Sequence, residues 1–148
     1  MVVRVQSEDF DIGSEIAALT NGRSDIGALV TFSGLVRDMS GENQVAVLEL
    51  EHYPGMTEKA LEKIEAEANT RWDLQASLII HRYGPLKAGA NIVLVVTASP
   101  HRHAAFESAQ FIMDFLKSRA PFWKKETGAS GGQWVDAREK DKDAINKW

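Results

Sequence analysis

Apolar and polar residues alternate weakly over Val2–Gln6, which predicts a short strand. Ile12–Leu19 has a helical spacing that Asn21-Gly22 stops. Gly27–Arg37, reading GALVTFSGLVR, is rich in strand formers and predicts the first firm strand. Asp38–Asn43 is polar with a glycine and predicts a mobile loop. Alternation returns over Gln44–Tyr53, where Val45, Val47, Leu48 and Leu50 stand against Glu49, Glu51 and His52. That strand ends at Pro54-Gly55. Thr57–Trp72 then carries Ala60, Leu61, Ile64, Ala68 and Trp72 near one stripe, with Glu and Lys opposite, as in an amphipathic helix. Leu74–Tyr83 reads as a strand and Gly84 to Gly89 as a turn region.

Asn91–Ala98 is almost wholly apolar and predicts a central strand buried on both faces. A second long helix is expected from His101 to Arg119, because Pro121 forbids its continuation. Phe122–Glu126 and Gln133–Val135 read as short extended pieces around a flexible GASGG. The charged tail Asp136–Trp148 reads as helical. Early neighbours look hairpin-like, and strand and helix alternate later. The pattern predicts one α+β domain over residues 1–148, with a mixed, mainly antiparallel sheet packed with two long helices.

Composition narrows the chemistry. A chain of 148 residues buries enough surface to fold without a metal or disulfide. No apolar run approaches the ~20 residues that span a bilayer, and MVVRVQSEDF lacks the basic start and apolar core of a signal peptide. A cytoplasmic location with no membrane partner is the expectation. A net charge of −4 argues against broad nucleic-acid binding. The chain has no cysteine, which excludes disulfides, cysteine-ligated metals and a thiol nucleophile. Any sulfur chemistry must draw its sulfur from a partner.

Positive charge gathers at both ends of the helix expected at His101–Arg119. Ser99, His101 and Arg102 stand at its start, where free backbone N–H groups and the dipole favour an anion. Arg102 there is either a surface ion-pair partner or an anion ligand. At the other end Lys117 lies in the last turn, and Lys124 follows beyond the break at Pro121. These two are either separate solvated cations or two ammonium groups brought to one pocket. In a shared pocket they would depress each other's pKa and suit acid–base or nucleophilic work. His101 and His103 are two apart and do not share a helix face, so no metal site is expected. His52 and His81 fall in strand patterns and read as structural. No G-x-S-x-G elbow, P-loop or G-x-G-x-x-G occurs. Among Phe106, Phe111, Phe115, Phe122 and Trp123 most are expected in the core, with one or two available to wall a planar ligand.

Four segments carry a resemblance: LELEHYPGMTEKAL (Leu48–Leu61), IHRYG (Ile80–Gly84), HRHAAFESAQFIMDFLKSRAPFWKKE (His101–Glu126) and WVDARE (Trp134–Glu139). In these the chain resembles the large, catalytic subunit family of molybdopterin synthase. The likeness runs from about Gly27 to the C-terminus and is loose before that. It implies sulfur transfer that converts cyclic pyranopterin monophosphate (precursor Z) to molybdopterin in molybdenum cofactor biosynthesis. The sulfur would arrive as a thiocarboxylate on the C-terminal Gly-Gly of a small ubiquitin-like subunit. No cofactor is implied. Family members are homodimers with pockets completed across the interface and a small subunit at each end, so a heterotetramer is the implied assembly.

Carried over position by position, the resemblance implies catalytic roles for Lys117 and Lys124. It implies substrate binding by Leu35, Val36, Arg37, His101, Arg102, Lys125, Glu126 and Arg138. Position 35 is lysine in many relatives, which leaves a backbone contact as the role implied for Leu35. A competing reading keeps the basic cleft but not the chemistry: a non-catalytic module that captures the C-terminal tail of a ubiquitin-like partner. An unrelated enzyme acting on a phosphate ligand is a third.

Overall fold

The computed structural model describes residues 1–38, 45–128, 131–135 and 139–148, with the side chains of 45–47, 123–128, 131–135 and 139–141 left aside. The strands are β1 (Val2–Gln6), β2 (Ala28–Leu35), β3 (Val45–His52), β4 (Ala76–Arg82), β5 (Gly84–Lys87), β6 (Asn91–Ser99), β7 (Phe122–Gly128) and β8 (Gly131–Val135). The helices are α1 (Ile12–Thr20), α2 (Met56–Arg71), α3 (Arg102–Ser118) and α4 (Glu139–Ala144), with a 3-10 turn at Ile145–Lys147. The α+β class and the two long helices are as the sequence predicts.

The strands divide into two sheets, ordered β1-β4-β6-β2 and β5-β3-β7-β8. Among the described residues only the β1–β4 pair is parallel. The early neighbours β2 and β3 therefore do not form a hairpin. β2 pairs with β6 and β3 with β5 and β7. Gly84–Lys87, expected as a turn, is a strand along the edge of β3, and its Leu86 fills a small core with Val36, Leu48 and Leu50. Pro85 hid it, since proline is confined to edge strands. The glycines of GASGG at 128, 131 and 132 belong to paired strands β7 and β8. The expected loop over Asp38–Asn43 lies outside the described residues beyond Asp38.

As its apolar run predicts, β6 is buried on both faces. Val93 and Val95 point to one side, where Leu61, Ile64 and Ala68 of α2 and Phe111, Ile112 and Phe115 of α3 cover them. Leu94 and Val96 point to the other, against Phe10 and the α1 residues Ile12, Ile16 and Leu19. Phe111 is fully buried, a contribution of about 1.5–3 kcal/mol by area. Trp72 and Trp148 meet its ring edge-on, and the Trp148 indole donates to Asp114 at 2.6 Å, which fastens the C-terminal turn to α3. Among the described residues no helix is long and apolar enough to cross a membrane.

A carboxylate sits inside this packing. Glu65 of α2 is 7% exposed. Among the described residues neither its Oε2 nor Asn69 Oδ1 has a hydrogen-bond partner. Burial raises the Glu65 pKa, the Ser77 hydroxyl opposes this, and the charge of Glu62 adds to it. A raised folded-state pKa means the folded chain holds the proton more tightly than the unfolded one. Stability is then kept below the ordinary glutamate value and lost as pH rises through the raised one. Glu65→Gln is expected to melt with wild type in acid and to lie a few degrees above it at higher pH, since about 1 kcal/mol shifts Tm by roughly 2–4 °C at this size. A melting series in which the gap is flat with pH would refute this.

Candidate active site

β6 delivers the chain to the start of α3 through a tight corner. An added Cβ on Gly27 would fall 2.1 Å from the carbonyl oxygen of Pro100, so only glycine lets the β2 entry press against this corner. The Gly27 amide donates to Ser99 O at 3.0 Å. Buried Ser99 donates its hydroxyl to His101 O, and Thr97 donates to Ala105 O at 2.7 Å, which ties the first turns of α3 to the end of β6. The helix begins at His101 without a side-chain cap and with no acidic residue in its first turn. His101, Arg102, His103, Phe106 and Glu107 line an open depression there. His103 reaches Glu107 at 2.7 Å, whereas Arg102 has no ion-pair partner among the described residues.

Of the five aromatics around the basic segment, Phe111 and Phe115 are buried, whereas Phe106 is 62% exposed and lines the depression. Its signal is periodic: Ala105, Ser108, Ala109, Ile112, Phe115 and Leu116 form the buried stripe, and position 106 falls off it.

The exit of α3 presents Lys117, exposed in the last turn. Arg119 caps the helix, its amide donating to Phe115 O at 2.8 Å and its guanidinium lying 4.8 Å over the Phe115 ring. After Pro121 the chain enters β7, where Leu50 stands opposite Lys124, Glu49 opposite Lys125 and Leu48 opposite Glu126. The side chains of Lys124, Lys125 and Glu126, and all of Arg138, lie outside the described residues. The expected meeting of two ammonium groups falls there too.

The segment Leu35–Arg37 closes β2 after a bulge. Leu35 is 55% exposed and Arg37 is exposed, but Val36 is buried in the small second core. Both backbone groups of Val36 are engaged, its amide to Ala90 O at 2.9 Å and its carbonyl by the Gly89 amide at 2.7 Å. Its neighbours, not Val36, face outward.

These groups fall at two ends. β2 runs antiparallel to β6, so its start lies beside Ser99 and its end beside Asn91. α3 packs back over the same two strands. His101 and Arg102 thus stand at one end of the layer, with Lys117 at the opposite end. At 1.5 Å per residue, Arg102 and Lys117 are separated by about 22 Å along the helix.

The sequence profile of the MoaE protein family matches residues 5–119. The chain belongs to the MoaE protein family. The match begins well before Gly27, where the motifs alone had left off. This MoaE chain is 59% identical over 148 residues to the "Molybdopterin synthase catalytic subunit" of Mesorhizobium japonicum, covering 99% of the chain and 92% of that relative. Among solved structures it is similar to "Molybdopterin biosynthesis MoaE protein" from Burkholderia ambifaria, with TM-score 0.84, 51% identity and coverage of 100% and 98%. It is also similar to "Molybdopterin Synthase" from Staphylococcus aureus, with TM-score 0.82, 31% identity and coverage of 89% and 95%.

Proposed function

We propose that this chain is the catalytic subunit of a molybdopterin synthase. It converts cyclic pyranopterin monophosphate to molybdopterin, taking sulfur from the thiocarboxylate tail of a small ubiquitin-like subunit. The observation that carries the reading is full-length similarity to a named catalytic subunit, joined to cationic groups at both ends of α3. The missing cysteines agree with it, because the sulfur rides on another chain. A cytoplasmic location goes with this reading.

Arg37, His101 and Arg102 bind the phosphate, Arg102 and the free N–H groups of the α3 start by charge-assisted hydrogen bonds. Lys117 and Lys124 sit beside the reacting carbon and the arriving thiocarboxylate, with Lys125, Glu126, Arg138 and the exposed Leu35 around them. As each sulfur bonds to the pterin side chain, water cleaves its bond to the acyl carbon of the tail and leaves a carboxylate there, and the ammonium groups stabilise developing negative charge and protonate the oxygen that the sulfur displaces. Because Arg102 and Lys117 stand about 22 Å apart in one chain, and the end of β2 that carries Arg37 lies toward Lys117, a single pocket takes His101 and Arg102 from one copy and Arg37, Lys117 and Lys124 from the other. A small subunit on each copy then gives a heterotetramer.

The test is reconstitution. The chain, a thiocarboxylated small subunit and the cyclic pterin are mixed, and the dithiolene pterin is measured by its oxidised fluorescent derivative. Product is expected. Partner binding without product would instead support a non-catalytic tail-binding module.

A further inference from the structure

The chain reverses between Lys117 and Lys124, and contacts from distant segments fix that reversal. Thr57, fully buried in the first turn of α2, donates its hydroxyl to Pro121 O at 3.1 Å and accepts the Tyr53 amide at 3.0 Å. Phe122, the next residue, stacks on His81 at the end of β4, with centroids 3.7 Å apart and planes at 18°. The His81 ring is itself oriented, its Nδ1 2.8 Å from Arg82 O. Opposite Phe122 in the β3–β7 register stands His52. The His52 ring packs on Tyr83 at 4.0 Å, and its Nε2 lies 3.7 Å from Glu58 Oε1. Glu58 in turn accepts the Gly55 amide at 2.5 Å. The exits of β3 and β4, the start of α2 and the start of β7 therefore meet at one junction.

A reversal needs only the helix cap at Arg119 and the proline. Here consecutive residues, Pro121 and Phe122, are held by a hydrogen bond from buried Thr57 and by a ring stack, from two other elements. The geometry points to a positioning role for Thr57 and His81: they set where β7 begins relative to the α3 exit, and so the spacing of Lys124 from Lys117. This rests on the reading of those lysines as the reacting amines. Neither Thr57 nor His81 touches substrate. The stack acts through ring faces, so it does not require the imidazole to carry a proton.

Steady-state kinetics of dithiolene formation by the reconstituted complex test this. His81→Ala and Thr57→Val are expected to lower kcat at least about tenfold while KM for the pterin stays within about twofold, as small misplacements of reacting groups do. His81→Phe keeps the stack and Thr57→Ser keeps the hydroxyl, and each is expected to recover most of kcat. Thr57→Val preserves side-chain shape, so it decides the matter if His81→Ala does not fold. Wild-type kcat in both impaired variants overturns the proposal, as does a KM that rises with the loss. His81→Phe as slow as His81→Ala also overturns it, because the imidazole would then act chemically. Lys124→Ala, run beside them, separates the premise. Full turnover there removes the lysine assignment, whereas an inactive Lys124→Ala beside wild-type kcat in both His81→Ala and Thr57→Val removes the positioning role alone.

Discussion

Lys117→Ala is expected to abolish turnover, a loss of at least about 10²-fold, while the small subunit still binds within about twofold of wild type. The separation of these two readouts follows from where the side chain stands. Lys117 is exposed in the last turn of α3, off the stripe formed by Ile112, Phe115 and Leu116, so removing it leaves the core intact. Alanine also favours the helix. A protein partner's affinity rests mainly on a few buried anchors, and a single exposed lysine contributes little to it. A reaction that develops negative charge beside an ammonium group loses both charge stabilisation and a proton donor when that group goes. Turnover assayed with a thiocarboxylated partner, and calorimetric titration of that partner, read the two effects separately. Normal turnover in this variant would refute the assignment of Lys117.

Much of the layer that holds α3 was legible because burial imposes a period. The run Asn91–Ala98 has no polar face, and it occupies the middle of a sheet covered by α2 and α3 on one side and α1 on the other. Leu61, Ile64 and Ala68 repeat at helical spacing and make the contact that the spacing predicts. Strand partnership was not legible, because it is set by long-range register. Nothing in GALVTFSGLVR says that it pairs with β6 instead of the following strand. β5 escaped for a local reason: in Gly84–Lys87 only Leu86 is buried, and four residues are too few to show alternation.

The candidate site divides in the same way. His101, Arg102 and Lys117 are recognisable because charge at helix ends has a physical meaning. The distance between those ends was computable from helix rise alone, yet it becomes decisive only once the helix is seen unbroken from Arg102 to Ser118. Val36 shows the opposite failure. A resemblance placed it with Leu35 and Arg37, but Val36 follows the end of β2, where its backbone bonds to Gly89 and Ala90, and its side chain packs with Leu48, Leu50 and Leu86. Thr57 and His81 carried no signal of their own, because their partners Pro121 and Phe122 are more than forty residues away in each case.

Mixing two inactive variants is expected to restore activity. Arg102→Ala removes the proposed phosphate ligand at the entrance of α3, and Lys117→Ala removes the proposed reacting amine at its exit. Each alone is expected to retain only about 1% of turnover. If one pocket takes its entrance residues from one copy and its exit residues from the other, a mixed dimer has two unlike pockets. One contains both substitutions and the other contains neither. Random exchange makes half the dimers mixed, each with one intact pocket, so about a quarter of wild-type turnover should return. The measurement is turnover after the two variants are unfolded and refolded together, set against each refolded alone and against the two mixed without exchange. The argument depends on rigidity: α3 is a continuous helix whose Phe111, Ile112 and Phe115 are locked into the core, so its ends do not approach each other. If the co-refolded mixture stays at the level of its parents although mixed dimers have formed, each pocket is built within a single chain. The roughly 22 Å between Arg102 and Lys117 would then require that only one end of α3 takes part in the reaction.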